Sequence, residues 1–392
     1  MEENVTATEF AAEAVTEAVV PEKKKRKPIN QQKLQDNIWG WAFCLPLIVG
    51  TVVFVYFALI MALLLSFTNY NVNSGGIWEY MGKMFSGDKS VFDMTGESAG
   101  GVVGKAYDPF YWYRFAFTEK AWFSSEWAKT QPIYDAAGEI IGFGKTTNAM
   151  WATMFNTVFY LIGIPIGMVL SVFFAVCMSR DIKGGSVFRV LYYLPCVAST
   201  IAIVYTFRIM FTDDGVFNQI LGGKVIPWLG EGNPDWGGKN PYWTQGLLSK
   251  TMIVIMSVWK GLGGTIILYV AGLSGVNAST KEAAQIDGAN GWTIFWRVTM
   301  PDLYPVIFYN IVTSVIGGMQ IYAEPELFFG TNVAQGYPNL MTSGFVSLIW
   351  YHGTAKSPAA YPSQGAAYGM ILAVIILLLT LFQFWLDSRK KD

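Results

Sequence analysis

The sequence predicts an all-α polytopic membrane protein of about six transmembrane helices, with a short cytoplasmic helix pair and a long extracytoplasmic insertion. Three observations lead there. Of 392 residues, 53% are hydrophobic and only 14% charged, with a mean hydropathy of +0.35; soluble domains carry roughly 25% charged residues. Apolar runs long enough for the ~20 residues that cross a hydrocarbon core begin near Ile38, Met150, Val190, Thr251, Tyr304 and Gly365. Basic residues gather on one side of those runs: Lys23 to Lys27, Arg180 with Lys183 and Arg189, Lys281 with Arg297, and Arg389 to Lys391. By the positive-inside rule that side, with both termini, is cytoplasmic.

In chain order, residues 1–37 form a cytoplasmic tail. Its "PEKKKRKP", Pro21 to Pro28, stands just ahead of the first apolar run, where a membrane anchor belongs rather than a nuclear signal. Residues 38–68 hold the first span, which contains Pro46 and Gly50 and ends in the interfacial composition "SFTNYN". Residues 69–148 form the insertion, too rich in Trp, Tyr and Phe for simple disorder. Residues 149–387 carry five further spans. The second contains "GIPIG", Gly163 to Gly167, a small-xxx-small spacing that lets a neighbouring helix come close. The third runs to about Phe211, the fourth covers Thr251 to Leu273, and residues 388–392 are a short basic terminus.

Between the fourth and fifth spans lies a cytoplasmic stretch, 277–301. Ser279 and Glu282 have the S-x-x-E spacing of a capping box, which starts a helix near Thr280. Gly288 suits the left-handed residue that ends it. Asn290 can cap a second helix through Trp292, Phe295 and Val298, which Pro301 terminates. Ala283 and Ala284 offer a surface for close packing, while Ile286, Trp292, Phe295 and Trp296 are apolar enough to mark an interface.

The pattern Glu282, Ala283, Ala284, three residues, Gly288, nine residues, Val298, one residue, Met300, Pro301 resembles the EAA loop of the membrane subunits of ATP-binding-cassette importers. With Asp287, Gly288, Ala289 and Phe295 it is most similar to the carbohydrate-uptake permeases of the maltose and glycerol-phosphate type. Val298 and Met300 stand where Ile and Leu are usual. The resemblance extends through Trp259 to Val276 and "NTVFYL" from Asn156, and leaves out the first ~35 residues and the insertion. It implies a type I importer permease in the bacterial cytoplasmic membrane, paired with a second homologous permease and a dimeric ATPase, and served by an extracytoplasmic solute-binding protein. ATP and magnesium would sit on the ATPase, with no cofactor on this chain. Glu282, Ala283, Ala284, Asp287, Gly288, Phe295 and Pro301 would form the joint to that ATPase.

On this resemblance, polar groups at mid-membrane depth are candidates for the path of a sugar or polyol. Lys260 lies near the middle of the fourth span, where an ammonium facing lipid would cost roughly 2.5–3.5 kcal/mol; Ser257 and Gly261 stand beside it. The fifth span adds Gln320, Tyr322 and Glu324 after Gly317 and Gly318. Structural polar residues satisfied by neighbouring helices are the competing interpretation.

Other classes find less support. "EIIGFGKTT", Glu139 to Thr147, lacks the first glycine of a phosphate-binding loop. Asp213 and Asp214 fit a solvated helix end better than acid–base catalysis. Cys44, Cys177 and Cys196 have no metal-ligand or disulfide spacing, and His352, placed in an outer Tyr- and Gly-rich loop, is the only histidine. Nucleic acid is not an expected partner. The alternative function is an ion-coupled secondary transporter without an ATPase, which would show internal repeats or ionisable relays in its spans.

Overall fold

The structure, a computed structural model, describes residues 31–70, 75–93, 108–118, 129–134, 140–146, 149–179, 184–223, 226, 228–229, 246–329, 331–332, 337–338, 342–354 and 361–389. Lys23 to Lys27, Arg180, Lys183, Glu139, Thr147, Lys390 and Lys391 lie outside the described residues. Two units are distinguished, Met1–Leu59 and Ile60–Asp392. In the first, the helix Gln31–Gly50 accommodates Pro46 and passes into a π-helical turn, Thr51–Tyr56, with Trp39, Phe43, Leu47 and Phe54 exposed in the manner of a lipid-facing helix.

The expected spans appear as four uninterrupted helices and two bent pairs. Trp39–Leu65, Met150–Met178, Leu247–Ser274 and Pro362–Ser388 are each long and apolar enough to cross a bilayer. The third and fifth spans are broken. Val187–Val197 and Thr200–Met210 meet at 96°, and Gly291–Met319 and Ala323–Phe329 at 41°.

Each break has a local cause. Pro195 removes an amide donor from the last turn of the first third-span helix, and Ala198 and Ser199 are extended before helix resumes. In the fifth span the helix ends just after the Gly317–Gly318 pair, and Ala323–Phe329 restarts with Glu324 and Glu326 in its first turn, where carboxylates complement the helix dipole.

The fourth span, Leu247–Ser274, is the axis on which the others pack. Its earlier half contributes Met252, Ile253 and Met256 to a cluster with Ile203, Val204, Phe207, Phe211 and Phe328. Its later half contributes Ile266, Tyr269 and Leu273 to a second cluster with Ala175 and Leu303. Between the clusters lies the segment Ser257 to Gly264. The "GIPIG" expectation holds here: a Cβ at Gly163 would meet Val254 and Val258 at 3.3 Å. Gly263 permits an even closer crossing, since a Cβ there would fall on the Tyr192 carbonyl oxygen and 3.0 Å from Tyr193 Cα.

The insertion is structured where described. It contains the helix Ile77–Phe85, a short turn Lys89–Phe92, the helix Tyr111–Thr118 and an antiparallel hairpin pairing Lys129–Tyr134 with Ile140–Thr146. The rejected phosphate-loop candidate therefore lies largely on a strand. Trp112 is fully buried and donates from Nε1 to the Thr68 carbonyl at 2.9 Å. A second small hairpin pairs Thr331–Asn332 with Tyr337–Pro338; the helices carry the fold.

One expectation about the side elements needs correction. His352 is not in a loop but on the helix Phe345–Gly353, buried beside Tyr351 and Tyr368. Burial pushes its imidazole down to about 4. Asp213 and Asp214 lie exposed at the end of the third span, as expected of a solvated turn.

Candidate functional site

Two features bring together the residues singled out by the sequence: an exposed helix pair after the fourth span, and a polar cleft beside its middle.

In the helix pair, the helix Ala278–Ile286 begins two residues before the expected start. Asn277 caps it, its Oδ1 accepting from the Ser279 amide at 3.0 Å and the Ser279 hydroxyl at 2.8 Å. Asn277 thus takes the role assigned to Ser279, because Asn277 has the extended backbone of a cap whereas Ser279 already lies inside the helix. The other end forms as expected: Gly288 has φ of 79°, the Ala289 amide donates to Ala284, and the Gly288 amide donates to Gln285, both at 3.0 Å. Those two bonds are a Schellman closure. Asn290 caps the second helix, accepting from Thr293 N at 2.8 Å.

Pro301 does not end that helix. The chain continues from Gly291–Ile294 through a π-helical turn, Phe295–Thr299, into Met300–Met319. A widened turn ahead of the proline relieves the clash of its ring with the carbonyl four residues back, so the helix continues into the fifth span.

Glu282, Ala283, Asp287 and Gly288 are exposed, Ala284 and Phe295 partly so, and Pro301 exposed. Ile286 is 88% and Trp292 71% exposed, and Trp292 stands edge-on to Trp296 at 5.7 Å. Indole and isoleucine side chains bare to this degree form an apolar face that an opposing protein surface would cover.

The cleft, of about 260 Å³, is lined by Cys196, Ser257, Lys260, Gly261 and Glu324. Lys260 Nζ donates to Glu324 Oε1 at 3.0 Å and to Thr200 Oγ1 at 2.8 Å. Thr200 opens the second half of the third span and Glu324 lies in the first turn of the second half of the fifth. One ammonium on the unbroken fourth span therefore ties together the restarts of both broken helices. The side chains of Lys260 and Glu324 are 22% and 19% exposed, so the pair is neither buried nor freely solvated. The Ser257 hydroxyl is buried and has no hydrogen-bond partner among the described residues.

Four of the six expected path residues, Ser257, Lys260, Gly261 and Glu324, meet at this cleft. Gln320 is exposed at the fifth-span break, and Tyr322 turns toward Trp350, with ring centroids 5.9 Å apart. Thr200 and Cys196 were missed. Pro195 followed by Ala198, Ser199 and Thr200 was the available signal, since a proline with small polar residues inside an apolar run marks an interrupted helix.

Residues 163–392 match the family described as binding-protein-dependent transport system inner membrane component. The chain is similar to the lactose transport system permease protein LacF of Rhizobium radiobacter, at 29% identity over 66% of this chain and 86% of that protein. It is also similar to the arabinooligosaccharides transport system permease protein AraP of Halalkalibacterium halodurans, at 31% identity over 61% of this chain and 69% of that one. Its fold is like that of a chain in the crystal structure of a bacterial alginate ABC transporter in complex with an alginate pentasaccharide-bound periplasmic protein. There the TM-score is 0.61 at 18% identity, covering 93% of this chain and 99% of the other.

Proposed function

The chain belongs to the binding-protein-dependent transport family of inner membrane components, and from that premise we propose that it is one half of the pore of an ATP-binding-cassette importer for a sugar or related polyol. The observation that carries this is the extent of the family match, 163–392, which takes in both the exposed helix pair and the cleft. The sugar assignment rests on the transport systems for which LacF and AraP are named.

In this role the helix pair Ala278–Thr299 is the joint. Ala283 and Ala284 let a cleft of the ATPase close on the first helix, Glu282 and Asp287 supply charge at its rim, and Gly288 sets the angle to the second. Because the second helix runs on through Pro301 without a break into the fifth span, a push on Trp292 or Phe295 is delivered to the Gln320–Tyr322 break and to Glu324. ATP and magnesium belong to the partner ATPase, and this chain performs no chemistry. The solute-binding protein and the second permease complete the assembly. Both termini and the joint are cytoplasmic, and the insertion is extracytoplasmic.

At the cleft, hydroxyl groups of a bound sugar would exchange hydrogen bonds with Ser257 Oγ and with the unshared proton of Lys260. Alternating access then amounts to opening the seam between the two apolar clusters first on one side of the cleft and then on the other.

The test is purification of tagged protein from native membranes in mild detergent, with mass spectrometry of what remains bound, for the wild type and Glu282→Lys. Recovery of a second permease and an ATPase, with the ATPase lost selectively in the variant, is expected. A wild-type chain without any ATPase, even after cross-linking, would overturn the proposal.

A further inference from the structure

The cleft beside the fourth span carries one cation and one anion, and each neutralises the other. Of the residues that line it, Cys196, Ser257, Lys260, Gly261 and Glu324, only Lys260 and Glu324 are charged, and their side-chain atoms meet at 3.0 Å. Glu326, two residues further on, lies against Ser347 of the helix Phe345–Gly353 and does not line the cleft. Helix dipoles do not tip the balance, because at each of the two breaks the negative end of one half-helix is followed at once by the positive end of the next.

The valences left over on the pair are those that suit a hydroxyl group. An ammonium has three protons; Lys260 gives one to Glu324 Oε1 and one to Thr200 Oγ1, and none of the described residues takes the third. Glu324 Oε2 likewise accepts from none of them. The pair therefore presents one donor and one acceptor side by side. A hydroxyl donates and accepts and can answer both, whereas a carboxylate or a phosphate ester dianion accepts only and sets its charge against that of Glu324. To reach Lys260, such an anion has to displace a carboxylate held at high effective concentration in the same chain, and it leaves that carboxylate unpaired at the wall.

We propose that this ion pair makes the cleft select an uncharged polyhydroxy ligand over a uronate or a sugar phosphate, with Glu324 as the residue that sets the preference. The inference rests on the cleft being part of the solute path, as in the function proposed above, and narrows the sugar or polyol to its neutral class. Glu324 acts largely through Lys260, by cancelling its charge. Its replacement changes which charge the cleft admits and leaves the other polar groups of the wall in place.

Cys196 is a free, exposed thiol on the same wall, and it reports the charge of the cleft. The full-length chain, purified from native membranes in mild detergent, is treated with an anionic (sulfonatoethyl), a cationic (trimethylammonioethyl) or a neutral (hydroxyethyl) methanethiosulfonate. Modification of the Cys196 peptide is followed by mass spectrometry, and each rate is divided by that of the same reagent with a small free thiol. In the wild type the normalised anion-to-cation ratio should lie within about threefold of one, as for charges that cancel. Glu324→Gln should speed the anionic reagent about five- to tenfold relative to the neutral one, the effect of an uncompensated unit charge over ~6–8 Å at an effective dielectric constant of about 40. Lys260→Met should favour the cationic reagent by a similar factor, and Glu324→Asp should behave as the wild type. A distortion that merely opens or closes the cleft changes all three rates together and leaves their ratios alone. A wild-type ratio outside the stated range in either direction, or a Glu324→Gln variant with the preference of the wild type, would overturn the proposal. Failure of every reagent to reach Cys196 would overturn it as well, by showing that the cleft admits no water-soluble ligand. None of these outcomes bears on the importer assignment, which stands or falls on co-purification with an ATPase.

Discussion

Replacing Lys260 by methionine and Glu324 by glutamine, singly and together, measures the tie that crosses the cleft. At the observed 3.0 Å, an effective dielectric constant of about 20 gives roughly 5 kcal/mol of attraction between the two charges. Each group is about one-fifth exposed, so its withdrawal from water offsets much of that, and a coupling of about 1–3 kcal/mol remains. Either single replacement strands the partner charge at a largely apolar wall and should lower the unfolding free energy by about 2–4 kcal/mol. The double variant should lose less than the sum of the singles by the coupling energy. The assay is reversible unfolding in mixed micelles, applied to all four proteins under one condition. Additivity within about 0.5 kcal/mol would show that the two charges do not act on each other, and the account of Lys260 as a tie between the broken helices would fail.

Gly263→Ala should destabilise by about 1–3 kcal/mol, because its Cβ falls on the Tyr192 carbonyl and the third and fourth spans must separate; unchanged micelle stability would refute the close crossing. Gly288→Ala places a side chain at φ of 79° and should cost about 1–2 kcal/mol locally, while Gly288→Asn should be better tolerated; comparing ATPase recovery with the two variants checks this, and equal recovery would count against the left-handed turn as the hinge of the joint. For His352, the unfolded chain titrates near 6.5 and the native imidazole near 4. Between those values the unfolded state holds the extra proton, so stability should fall as pH drops from 6.5 toward 4, by up to about 3 kcal/mol, and level off below. His352→Phe should flatten that part of the pH–stability curve, and an unchanged slope would show that another group carries it.

The features legible in the sequence were those set by composition and by local backbone chemistry. Six apolar runs follow from composition, the glycine turn at Gly288 and the Asn290 cap depend on residues within one helical turn, and each appears where expected. Pro301 was misjudged because its effect depends on the turn before it: a π-helical Phe295–Thr299 makes room that an α-helical one would not. The choice of Asn277 over Ser279 as cap turned on the dihedral angles at the helix start, which spacing alone does not reveal. Lys260 was noticed because a lone charge in an apolar run demands an explanation, whereas Thr200 carries no such signal and acquires its part only through a 96° bend. The direction in which Tyr322 faces was equally out of reach, since it depends on a ring contact 28 residues away in sequence, at Trp350.

The apolar face of the helix pair bears on how the chain fares before it is assembled. With Ile286 and Trp292 almost bare, a newly inserted subunit presents water with a surface that sticks to chaperones, to proteases and to other copies of itself. Every hour without a partner is therefore an hour at risk, and the number of intact subunits in a cell becomes tied to the supply of whatever covers that face. Produced alone and in excess, the chain should be cleared or aggregate; produced together with its partner, the same sequence should accumulate.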